Sequence, residues 1–322
     1  MFKRINYLGE VGMLKKFLRV LLILLLGYCN VLAQEGKGKL EIVTTLFPTY
    51  DFTRQIGKDK VNVSLLLPPG VEAHTFEPKP QDVVRINKAD VFIYTGRYME
   101  PWVEDMLQGV SNKKIAVVDA SLGVQLMSTG DHDEEEEDHE GEHHGGKDPH
   151  IWVDFGNAQI MVDTIAKALT EKDPVNDAFY LHNAKEYKMK LADLDRRFKE
   201  TLSTAKHKTI IYGGHFAFGY FAKRYGLEHD SPYDGFSPNA EPSPKAIASL
   251  IEKLKKSGIK YIYYEELLDP KVARTISQET GAKLELLHGA HNVSKDELAK
   301  GVTFIDIMED NLKKLRVGLE CQ

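Results

Sequence analysis

Residues 174–205 run for 32 positions with no glycine and no proline after Pro174 itself. Asp173 and Pro174 open the stretch as a capping carboxylate followed by proline at the first helical position. Tyr187, Leu191, Leu194, Phe198 and Leu202 then recur at intervals of four, three, four and four, which draws a single apolar stripe. Fully helical, such a segment would reach about 48 Å at 1.5 Å per residue. That exceeds the roughly 8–20 residues of an ordinary globular helix. The stretch predicts a strut, with a separate folded body on either side.

Both flanks carry the same kind of pattern. Before the strut, residues 40–46, 61–67, 91–95 and 115–118 read as strands, and 50–56, 81–87 and 102–107 have helical spacing. After it, 209–212, 261–264 and 283–287 read as strands, and 244–256, 271–280 and 304–315 as helices. The strands are β-branched and almost continuously apolar, which suits parallel sheets covered on both faces. The predicted fold class is therefore α/β: two βα lobes, each with a mainly parallel sheet, joined by one long rigid linking helix. The expected boundaries are 34–173 for the N-terminal lobe, 174–205 for the linking helix and 206–322 for the C-terminal lobe.

Charge divides the chain differently. The formal net charge is -6, yet residues 131–147 alone hold nine Asp/Glu against one Lys, and residues 1–33 hold five Lys/Arg against one Glu. The rest is close to neutral. A nucleic-acid binder would need a basic face to displace phosphate counterions, and none is present. Lys15, Lys16 and Arg19 precede a short apolar run over 20–26, too short to span a bilayer. With Val31, Leu32 and Ala33 behind it, residues 1–33 read as an export signal cleaved after Ala33, and Met13 is an alternative start. A rival has Cys29 lipidated, which would tether the protein to the membrane. Cys29 and Cys321 are the only cysteines, so no disulfide scaffold is possible.

Of the twelve histidines, four sit just beyond predicted strands or in Gly/Pro-rich turns. His74 follows Pro68, Pro69 and Gly70. His150 lies in the run Asp148, Pro149, His150, Ile151, Trp152. His215 follows Gly213 and Gly214, and His291 follows the strand ending near Leu287. Ligands of open α/β sheets bind outside the carboxyl ends of strands. Two of these histidines come from each lobe, so a metal site in the interlobe cleft is expected. Four imidazoles would form a tetrahedral nitrogen site suited to Zn²⁺. Glu241 and Glu265 are candidates to accept the outer ring N–H groups. His182, His207, His229 and His288 fit no such pattern.

These segments resemble a known family. Leu67, Pro68, Pro69 and Gly70, with His74, Thr75, Phe76, Glu77 and Pro78 and then Gln81 and Asp82, look like the first metal-ligand block of bacterial zinc- and manganese-type substrate-binding proteins of ABC importers, the cluster A-I or ZnuA/TroA-like group. The run at 148–152 resembles the second block. Gly214, His215, Phe216, Ala217, Phe218, Gly219 and Tyr220 resemble the third, continued by Ser237, Pro238 and Glu241. Residues 279–282 lead into the fourth. The resemblance covers nearly all of 40–316. It implies a receptor that delivers Zn²⁺ to a membrane permease and its cytoplasmic ATPase; an adhesin-like surface role is a further reading for which no feature of the sequence argues.

Position by position, the family's three recurrent histidines fall on His74, His150 and His215. The fourth position departs from the pattern: His291 stands where Asp is frequent, with His288 and Glu72 as alternatives. Without a carboxylate there, the resemblance points to Zn²⁺ over Mn²⁺. A monomer is expected, periplasmic or membrane-tethered.

The acidic segment 131–147 contains no apolar residue and cannot supply a core face. His132, His139, His143 and His144, interleaved with carboxylates, read as a low-affinity metal collector. His139, Glu140 and His143 match the H-E-x-x-H pattern, but Gly141 and the polar flanks oppose the amphipathic helix a zinc protease needs. No phosphate-binding loop or nucleophile elbow occurs. An extracellular zinc hydrolase is the rival from another class. It would require an open coordination position.

Overall fold

The computed structural model describes residues 38–128, 146–233 and 241–322. The export signal, its cleavage site, Cys29 and the histidines His132, His139, His143 and His144 lie outside the described residues. Leu40–Gln322 forms one compact unit. Among the described residues no helix is long and apolar enough to cross a membrane.

The N-terminal part alternates β1 (Leu40–Thr44), α1 (Phe47–Gly57), β2 (Val61–Leu65), α2 (Pro80–Asn87), β3 (Val91–Tyr94), α3 (Val103–Gln108) and β4 (Ala116–Asp119). All pairings are parallel, in the order β2-β1-β3-β4. The helices α4 (Phe155–Lys172) and α5 (Asp177–Ser203) follow. The C-terminal part contains β5 (Thr209–Ile211), α6 (Gly219–Tyr225), β6 (Glu228–Asp230), α7 (Pro244–Ser257), β7 (Tyr261–Tyr264), α8 (Lys271–Thr280), β8 (Lys283–Leu286), α9 (Lys295–Lys300) and α10 (Phe304–Gly318). Here β5 pairs with β6 and β7 with β8, again in parallel. A parallel bridge between Tyr212 and Tyr263 joins the two pairs, so the strands run β6-β5-β7-β8. Both sheets therefore place their first strand between the second and the third. The chain leaves that strand to one side and then crosses to the other, and the loops part at this switch.

The long helix differs from expectation at its start. Residues 174–176 form a 3₁₀ turn, and α5 begins at Asp177. The Asp173 carboxylate does not cap the backbone, because it accepts from Tyr180 Oη at 2.8 Å and Asn176 Nδ2 at 2.6 Å instead. At 27 residues, α5 spans about 40 Å. Its predicted stripe of Tyr187, Leu191, Leu194, Phe198 and Leu202 is buried, and packs with α1, α4 and α10 in one core. Phe52 of α1 meets Tyr187 at a ring distance of 5.7 Å and Phe304 of α10 edge-on at 5.1 Å. Elements from both ends of the chain thus share the core that α5 crosses.

Candidate metal centre

Each of the four histidines leaves a sheet or turn for a local reason. His74 lies in the β2–α2 loop, where Gly70 takes a left-handed φ of 84°. Both oxygens of Glu72 are engaged there, accepting the backbone N–H of His74 and of Thr75 at 2.9 Å. His150 precedes a 3₁₀ turn over Ile151–Val153 whose side chains are all buried. His215 follows β5 through two glycines, of which Gly213 packs too closely on Ala273 to carry a side chain. A Cβ on Gly213 would lie 2.4 Å from the Cβ of Ala273, and one on Gly214 would lie 2.4 Å from Glu265 Oε1. His291 follows β8, beyond Ala290 with φ of 60°.

The structure brings His74, His150, His215 and His291 together, with one ring nitrogen of each within 4.8 Å of all the others. The six ring-to-ring separations are 5.1, 5.0, 5.4, 5.5, 5.0 and 5.4 Å. Four points with six nearly equal separations are the corners of a tetrahedron. With Zn–N bonds of about 2.0–2.1 Å, a tetrahedral site would set adjacent nitrogens about 3.3 Å apart and ring centres about 5.2 Å apart. His74 Nε2 and His150 Nε2 lie 3.2 Å apart. The Nε2 atoms of His215 and His291 are buried without a hydrogen-bond partner. An unmet buried polar atom costs about 1–3 kcal/mol, so this donor set fits a cation with four nitrogen ligands.

Three of the rings are gripped from behind by carboxylates. His150 Nδ1 meets Asp148 Oδ1 at 2.8 Å, and the same oxygen accepts the His150 backbone N–H at 2.9 Å. His215 Nδ1 pairs with Glu265, and His291 Nδ1 meets Glu266 Oε1 at 2.9 Å. A carboxylate on the outer nitrogen fixes the tautomer, turns the lone pair inward and makes the ring a stronger donor. Trp152 stands edge-on to both His150 and His291 at 5.6 and 5.3 Å.

Burial sets the protonation states. It lowers His74 to about 2, helped by the charges of His291 and His215, and it holds His150 well below the usual imidazole value. Both are therefore neutral donors. Burial alone would lower His291, but the Glu266 carboxylate beside it holds it above the usual value. Burial would likewise raise Glu266, yet His288 and His291 keep it well below the ordinary carboxylate range. Asp148 is pushed up by burial to about 7.

The other sequence candidates fall elsewhere. Glu265 stands behind His215, whereas Glu241 is exposed on a cavity wall with Tyr233, Pro242 and Leu268 and forms no hydrogen bond to any of the four rings. Glu72 serves the loop backbone. His288 is buried, but its Nδ1 accepts the Ala290 N–H at 3.0 Å, outside the four-ring cluster. Asp148 and Glu266 carry no sequence signal for this role: Asp148 stands in the run at 148–152, and Glu266 is adjacent in sequence to Glu265.

Comparison with known proteins follows the same outline. A family model described as the zinc-uptake complex component A, periplasmic (ZnuA), matches residues 42–318. The high-affinity zinc uptake system protein ZnuA of Bacillus subtilis is 41% identical over 292 residues, covering 88% of this chain and 89% of that protein. The crystal structure of the metal-dependent lipoprotein YcdH from Bacillus subtilis superposes with a TM-score of 0.74 at 41% identity, covering 87% of this chain and 99% of that one. The Zn(II)-bound ZnuA-like domain of Streptococcus pneumoniae AdcA gives 0.74 at 36% identity, covering 88% of this chain and all of that domain.

Proposed function

The chain belongs to the family of periplasmic zinc-uptake components A, and we propose that it is an extracytoplasmic receptor that binds one Zn²⁺ through His74, His150, His215 and His291 and hands it to the permease of an ABC importer. The observation that carries this is the tetrahedron of four imidazoles, with the inner Nε2 atoms of His215 and His291 buried and unpartnered. An all-nitrogen set of this shape suits zinc, while manganese prefers oxygen ligands and higher coordination. Four protein ligands also close the shell, leaving no position for the bound water that a zinc hydrolase would activate. The family and the lipoprotein named above support an exported location, periplasmic or tethered through Cys29.

Calorimetric titration of the exported chain tests this. One tight zinc site is expected, lost on replacing any of the four histidines with alanine. The segment 131–147, read from its composition as a collector, should add only weak sites, so its deletion should spare the tight one. Tight binding that survives His291→Ala with His74, His150 and His215 intact would refute the four-ligand assignment.

Delivery then calls for a way out. Hydrogen bonds cross between the two sheet regions at several places. Phe47 N–H donates to His291 O at 3.2 Å, and Asn292 Nδ2 donates to Pro68 O and Val71 O at 2.7 and 2.9 Å. Tyr220 Oη donates to Asp148 O at 2.9 Å, and Phe304 N–H donates to Asp51 Oδ2 at 2.9 Å. Wide hinge opening would break all of them, so release proceeds by local withdrawal of ligands within lobes that barely rotate. Solution scattering of the metal-free and zinc-loaded forms should give nearly superimposable profiles, and a large change in radius of gyration would exclude the scheme.

A further inference from the structure

We propose that Asn311, on α10, is a positioning residue of the zinc site: it fixes the turn that carries His291 without touching any ligand. The proposal rests on the zinc reading of the four-histidine cluster. Residues 288–291 have no helix or sheet ladder to hold them, and their backbone polar groups are met almost entirely by side chains. Asn311 Oδ1 accepts the His288 N–H at 3.0 Å, and Asn311 Nδ2 donates to His288 O at 2.8 Å. Glu266 accepts the N–H of Gly289 at 2.7 Å and of His291 at 3.2 Å. Trp152 Nε1 donates to Gly289 O at 2.7 Å, and His288 Nδ1 accepts the Ala290 N–H at 3.0 Å. Such a turn has the shape its partners impose.

Two features single out Asn311 among those partners. It is 1% exposed in the middle of an amphipathic helix, with Met308 and Leu315 buried on the same face. An amide there is costly unless both ends are bonded, and both ends go to the two backbone groups of His288. Leucine would satisfy the helix equally well, so the helix does not explain the amide, whereas the turn does. The turn also needs such a clamp, since Ala290 occupies the left-handed region with φ of 60°, which a residue with a Cβ holds only when its surroundings impose it. His288 has a place in the same device. Its Nδ1 accepts from Ala290, and the side chain braces the turn instead of joining the metal cluster.

The test uses the full exported chain loaded with Co²⁺ as a spectroscopic stand-in for Zn²⁺, because the intensity of its visible absorption reports tetrahedral coordination. Wild type and His291→Ala supply the two reference spectra. Asn311→Leu is expected to weaken Zn²⁺ binding about 10–100-fold, the usual effect of losing support behind a metal ligand. It should also move the Co²⁺ spectrum towards that of His291→Ala. Asn311→Asp keeps the acceptor for the His288 N–H but loses the donor to His288 O, and should fall between; it decides the matter if the leucine variant does not fold. A lower Tm with an unshifted spectrum and zinc affinity within twofold of wild type would overturn the proposal, since that is what a merely structural role predicts. If wild type itself fails to bind one Co²⁺ tetrahedrally, the zinc reading falls instead.

Discussion

The two sheets share one strand order, and beyond the carboxyl end of the third strand each has glutamate, but the side chains are used differently. Beyond β3, Glu100 accepts the N–H groups of Thr95 and Gly96 at 3.2 and 3.0 Å and the hydroxyl of Thr45. It ties the loops leaving β1 and β3 to each other. Beyond β7, Glu265 and Glu266 face His215 and His291. The topology offers a crevice in both places. Glycines at 213 and 214 leave room for Ala273 and Glu265 beside the turn that carries His215, where the other crevice has Thr45 bonded to Glu100. Glutamates beyond the third strand of each sheet thus bind loop backbone in one half and hold imidazoles of the candidate metal centre in the other.

Replacing each carboxylate with its amide separates these uses. The largest effect is expected for Glu266→Gln, because Glu266 holds the His291 ring and two backbone N–H groups of its turn. Zinc affinity should fall about 100-fold, the upper end for support behind a ligand. Asp148→Asn and Glu265→Gln, which each loosen one ring and one N–H, should cost less, about 10-fold. Competition against a chromophoric zinc chelator measures all three. Equal losses across the series would mean that the number of groups held does not matter, which would blur the distinction drawn between the sheets.

Much of this arrangement was legible in the sequence. The strands over 40–44, 61–65, 91–94 and 261–264 are apolar enough to declare themselves, and the stripe on α5 needed only its period. The four histidines stood out through glycine, proline and strand-end placement. What escaped had physical reasons. β6 consists of Glu228, His229 and Asp230 at a sheet edge, with no β-branched residue to mark it. α6 and α9 are short helices of about two turns whose stability comes from packing and caps, not from a visible period. Contacts between distant segments leave no local trace, so Glu266 could not be told from Glu265, nor Asn311 from any other helix polar residue. α5 starts three residues later than its sequence signal because Asp173 bonds Tyr180 and Asn176 and not the helix backbone.

The smallest expected effect on zinc is also the sharpest test of the contrast between the sheets. Burial pushes the Glu100 carboxyl up to about 7, so between its unfolded value near 4.5 and about 7 the folded protein binds more protons than the unfolded chain. Stability from this group is fully present below the unfolded value and is lost as pH rises through the folded one. A shift of that size is worth roughly 3 kcal/mol across the window. Glu100→Gln cannot titrate, so urea unfolding of the zinc-free protein should show a flatter loss of stability from pH 5 to 7 than wild type shows. Zinc affinity at pH 7.5 should stay within twofold, because Glu100 holds loops and no imidazole. If Glu100→Gln weakened zinc as much as Glu265→Gln does, the N-terminal glutamate would belong to the metal site after all, and the two crevices would differ only in degree.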